Sequence, residues 1–138
     1  MSNPYATPIK LAKRALDDLR VAIAGQAKSL ARLDGRDAVL VTVRGFERSR
    51  AAGDLQLPAT AWFERTERER AGIAVARRGV ERQCAELREQ AREQLGSLSA
   101  LEAAAERWAR AERSKRERRA EAEADDRAAV QFLRAQAA

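Results

Sequence analysis

Residues 73–108 read IAVARRGVERQCAELREQAREQLGSLSALEAAAERW. Ile73, Val80, Leu87, Gln94, Leu101 and Trp108 recur every seventh position, and Cys84, Ala91, Leu98 and Ala105 fill the alternate seam position. Such a 3-4 alternation keeps one narrow apolar stripe facing a partner helix, the pattern of a coiled coil. Gln94 is the polar residue in that seam, where a buried amide can fix register. No strand period of two competes with it. The stretch therefore decides the class: all-α, built on a helical seam.

Working back towards residue 1, a second seam emerges. Ile9, Leu16, Ile23 and Leu30 are seven apart, with Leu19, Leu33 and Leu40 on the alternate position and Gln26 and Asp37 as interruptions. Thr7-Pro8 offers a start, because proline is tolerated in a first helical turn. The β-branched AVLVTV at residues 38–43 could be argued as a strand, but Leu40 keeps heptad phase and no second strand exists to pair with it. Beyond Leu40 the apolar phase slips towards Val43 and Phe46. The one convincing break is AAGDLQLPATAW, with Gly53 as expected C-cap and Pro58 as expected first-turn residue. The expectation is a single coiled-coil domain over residues 1–138: helix 1 about 8–52, hinge about 53–58, helix 2 about 59–134. It would be a two-helix antiparallel coiled-coil hairpin with an extended, overhanging C-terminal helix.

Folding about that hinge places residues whose numbers add to roughly 111 opposite each other. Helix 1 then runs out of partner where the second seam ends, near Trp108. Some 25 residues beyond it would project on the order of 40 Å as one helix. Large apolar side chains are absent from residues 109–129, as a helix with nothing to pack against requires. Opposite charges at i,i+4 (Glu106 with Arg110, Glu112 with Arg116, Arg119 with Glu123) would support it at about 0.2–0.5 kcal/mol each.

Composition narrows the function. In 138 residues, 35% are charged and 4% aromatic, with net charge +6. That balance suits long helices and favours anionic partners. Histidine is absent and Cys84 is the single cysteine, which excludes an intramolecular disulfide and any site of several His or Cys ligands. Phosphate-cradling glycine loops, paired catalytic carboxylates and nucleophile constellations are also missing, so neither an enzyme nor a cofactor or metal site is expected. Cys84 on the seam is expected to be a small buried hydrophobe rather than a reactive thiol. No apolar run has the length of a signal core or a membrane span, which leads to the expectation of a cytoplasmic protein.

Two surfaces remain as candidate sites. Residues 107–119 hold seven basic side chains, Arg107, Arg110, Arg113, Lys115, Arg116, Arg118 and Arg119, against Glu112 and Glu117. Glu121, Glu123, Asp125 and Asp126 follow. Read plainly, this is a solvated helix kept soluble by its charges. The functional reading is a recognition rod with a basic and an acidic band, including Asp125 and Asp126. The second surface is the apolar group at the hinge end: Phe46, Leu55, Leu57, Trp62 and Phe63, either packed together or open for docking. Trp108 is expected to cap the open end against Tyr5. Nucleic acid is an unlikely partner, because acidic residues follow the arginines directly and the segment has no aromatic for base stacking.

The run LEAAAERWARAERSKRERRAEAEADDRAA resembles the flagellar export protein FliJ family. There a leucine- and glutamate-rich segment runs into Glu-Arg, then a charged helix, then an acidic pair, commonly Asp-Glu. Leu101, Glu102, Glu106 and Arg107 match the opening, and Asp125-Asp126 the closing pair at the family's interval, with Asp in place of Glu. The Trp62 region resembles the family's aromatic start to helix 2. The resemblance spans most of the chain. It implies a non-catalytic rod, similar in shape to the central stalk of rotary ATPases, whose end enters the pore of the hexameric export ATPase and promotes ring assembly. It also implies contacts with the cytoplasmic domain of the export gate and with substrate–chaperone complexes, at the periphery of the membrane export apparatus. Stalk proteins of virulence type III injectisomes are close in form. A basic helical protein binding nucleic acid or anionic membrane is the alternative.

Overall fold

In the computed structural model, residues 2–53 and 60–137 are described, and they form two α-helices and no strand: α1, Ala6–Gly53, and α2, Thr60–Ala137. Helix α1 begins earlier than Thr7-Pro8 suggested. The Asn3 side chain accepts a 2.9 Å hydrogen bond from the Tyr5 amide, and Ala6 N–H donates to the Asn3 carbonyl at 3.3 Å. Asn3 thus caps the first turn, Pro4 follows it, and Pro8 falls inside that turn without a donor to lose. At the far end Gly53 closes α1 without a positive φ, so it is not the left-handed C-cap expected of it. The hinge at 54–59, including Leu55, Leu57 and Pro58, lies outside the described residues.

Residues 38–43 are helical, as the phase of Leu40 required. Solvent-shielded positions step along α1 by threes and fours from Ile9 and Ala12 through Leu16, Leu19, Ile23, Gln26, Leu30, Leu33, Asp37 and Leu40. The phase does not slip after Leu40. Arg44 and Glu47 occupy the next two seam positions, half-buried, while Val43 and Phe46 are exposed. The apolar pattern and the helical seam part company there because Arg44 is held by an ion pair to Glu67 on α2. On α2 the seam runs through Thr66, Ile73, Val80, Cys84, Leu87, Ala91, Gln94, Leu98, Leu101, Ala105 and Trp108 to Glu112. Thr66 satisfies its buried hydroxyl by donating to the Trp62 carbonyl at 2.9 Å.

Two compact units divide the chain, Ala15–Gln94 and Met1–Arg14 with Leu95–Ala138. Within the first, buried side chains are Leu16, Thr66, Ile73 and Cys84. Four ion pairs there join α1 to α2: Arg77 to Asp34 at 3.2 Å, Arg70 to Asp37 at 2.9 Å, Arg36 to Glu69, and Arg44 to Glu67. Arg77, Glu69 and Arg70, the partners of Asp34, Arg36 and Asp37, carry higher numbers than Glu67, the partner of Arg44, the trend of segments that meet antiparallel within this unit. These pairs add to roughly the facing sum or a few residues less. The Asp37 carboxylate, by hydrogen bond and then by charge, holds the Arg70 guanidinium above its ordinary pKa. Within the second unit Ala12 is buried, while every described residue from 115 to 137 is exposed.

Candidate partner-binding surface

The basic band lies on the solvated part of α2. Arg107, Arg110, Arg113, Lys115, Arg116, Arg118 and Arg119 are all exposed. Two of them are engaged along the helix: Arg110 with Glu106 at 2.5 Å and Lys115 with Glu112 at 3.4 Å. Glu112, half-buried at the end of the seam, thus pairs with Lys115 rather than with Arg116. Arg119 does not reach Glu123, whose backbone carbonyl instead accepts from Arg127 at 3.3 Å. Arg107, Arg113, Arg116, Arg118 and Arg119 form no ion pair with another described residue. The Arg110 hydrogen bond, then its charge and that of Arg113, hold the Glu106 carboxyl below the usual carboxylate range.

At about 100° per residue, the seven basic positions are distributed right round the helix axis, with gaps of no more than roughly 60° between neighbouring directions. They form a collar, not a face. The collar is about 18 Å long at ~1.5 Å per residue. Glu121, Glu123, Asp125 and Asp126 follow it, exposed and likewise spread over more than one side. A shallow concavity within the collar is lined by Arg110, Arg113, Ser114 and Glu117. It is too open to isolate a reaction from water.

The hinge-end group is only partly brought together. Trp62 and Phe63 are half-buried and meet edge to face, with ring centroids 5.1 Å apart. Phe46 makes no ring pair with them and is exposed on α1. Leu55 and Leu57 lie outside the described residues. At the other seam end Trp108 and Tyr5 are half-buried, yet no ring pair joins them, so the expected aromatic cap is not formed. Cys84 is buried and free.

Comparison of the chain with protein-family models, with curated proteins and with solved structures gave no match. Among the described residues no group of three or more His, Cys, Asp or Glu is placed to hold a metal ion, and no helix is long and apolar enough to cross a membrane.

A surface that the seam reading missed is the exposed stripe of Val39, Val43 and Phe46 on α1. The i, i+4, i+7 spacing was visible in the sequence. These residues are a second face of α1, not a drift of its seam. Val130 and Leu133 near the end of α2 are exposed in the same way.

Proposed function

We propose that the chain folds as a two-helix antiparallel hairpin whose α2 overhangs, and that it works as a non-catalytic stalk or escort in flagellar-type protein export. In this reading the basic collar sits at the pore of the hexameric export ATPase, with Asp125 and Asp126 beyond it. The hinge end and its Trp62–Phe63 pair contact the cytoplasmic domain of the export gate. Substrate chaperones are further partners, and the site of action is the cytoplasmic side of the membrane export apparatus.

The observation that carries the reading is the collar. A helix that meets one flat partner concentrates its charge on one side, as an amphipathic surface helix does. Positive charge on all sides suits a partner that surrounds the helix, and a ring with an acidic pore is such a partner. The lack of any shielded residue beyond position 114 among the described residues agrees with a segment that serves no core of its own. The resemblance of residues 101–126 to the FliJ family points the same way.

The test is ATP hydrolysis by the cognate hexameric ring, measured with and without this chain. Stimulation together with co-purification supports the stalk. No stimulation, no co-purification and tight DNA binding would sink it. Five basic residues without an internal ion pair also favour a second reading, binding to nucleic acid or anionic lipid. That binding would occur without any ATPase and would fall steeply with log[salt].

A further inference from the structure

We propose that two copies of this chain associate through the exposed stripe Val43, Phe46 and Arg50 of α1 on one copy and Leu133, Val130 and Asp126 of α2 on the other. This contact is independent of the stalk reading. Val39, Val43 and Phe46 are 61%, 40% and 69% exposed, and Val130 and Leu133 are 47% and 63% exposed. Single exposed apolar residues are ordinary; rows of them along one helix face ask for a cover.

The register decides the occupant. Laid antiparallel, Val43 meets Leu133, Phe46 meets Val130 and Arg50 meets Asp126, all three at one alignment of the helices. The spacings of four and three residues coincide on the two sides, so each apolar side chain finds an apolar partner, and Arg50, which lies 3.4 Å from Glu47 along α1 in an exposed pair, meets Asp126 at one end. The remaining charges near the second stripe, Arg127 and Arg134, then come opposite Ser49 and Thr42. No like charges meet. An arbitrary acidic or lipid partner would not need this match within one sequence. Three such pairs fall well short of the ~1,200 Å² of a standard stable interface, so the association is weak and rises with concentration.

The experiment uses the full chain in a Cys84→Ser background. Two single-cysteine variants, Val43→Cys and Leu133→Cys, are mixed and oxidised with oxygen and a copper catalyst. A disulfide forms only where Cα atoms come within about 7 Å, so the mixed dimer should exceed several-fold that from Val43→Cys with Arg119→Cys. Arg119 lies on the same stripe but about 21 Å from Leu133 at ~1.5 Å per residue. Adding Phe46→Glu should reduce the cross-link to the Arg119 level, with circular dichroism unchanged because Phe46 is exposed. Equal cross-linking in both mixtures overturns the proposal. So does a chain that stays monomeric in sedimentation equilibrium at about 1 mM, or one that is monomeric yet binds phosphatidylglycerol vesicles through Phe46.

Discussion

Leu11 and Leu16 share a helix and a side-chain type, yet Leu11 is 59% exposed and Leu16 is 5% exposed. The difference is phase alone, since Leu16 falls on the seam and Leu11 does not. Leu16→Ala should cost about 2 kcal/mol, the low end for a buried leucine because a two-helix seam can partly close. Leu11→Ala should stay within about 0.5 kcal/mol. Urea unfolding of the two variants checks the pair. Gly35 gives a change of opposite sign: a Cβ there would meet nothing within 4 Å, and it lies inside α1. Gly35→Ala should therefore stabilise by about 0.5–1 kcal/mol through helix propensity. Glu106 supplies the pH dependence. Its pKa is depressed in the folded chain, chiefly by the Arg110 hydrogen bond. The stabilisation is therefore present above its unfolded pKa of about 4.3 and is lost as pH falls through the lower folded value. A Glu106→Gln variant should lack that step in an acid titration followed by circular dichroism.

At the scale of elements, heptad spacing made both helices legible and separated α1 at residues 38–43 from a strand. It placed Gln26, Asp37 and Gln94 in the seam, where each is half-buried. The cap was misplaced because Pro8 is a stronger signal in sequence than Asn3, although the Asn3 side chain makes the bond. The seam past Leu40 was misread for a related reason. Apolar residues advertise phase, whereas Arg44 keeps the phase by charge, and that is visible only when α2 supplies Glu67. The basic collar was legible as a count but not as a ring, since its meaning comes from angles around an axis. The solvated end of α2 makes its own prediction. Because residues 115–137 are exposed throughout, ending the chain after Ser114 should remove ellipticity in proportion to length and leave the unfolding midpoint unchanged. Amides there should exchange far faster than those around Ile73.

For the molecule as a whole, the net charge of +6 coexists with carboxylates that are already committed to partners along and across the helices. Five of the seven basic groups of the collar form no ion pair with another described residue. On the proposed stalk function, reversing Arg113, Arg116 and Arg119 to glutamate should abolish stimulation of the export ATPase while circular dichroism and the midpoint stay near those of the parent chain. A variant that unfolds, or one that stimulates normally, would count against the collar as the contact. The four ion pairs between α1 and α2 in Ala15–Gln94 carry a further consequence. A seam that repeats every seven residues is nearly indifferent to sliding by one repeat, since leucine then faces leucine again. The arginine–carboxylate pairs do not repeat, so they are the marks by which one of several almost equivalent alignments is chosen. Each is worth little as stability. Concentrated salt, which screens them, should therefore leave the chain helical while letting its two strands of the seam lose their place.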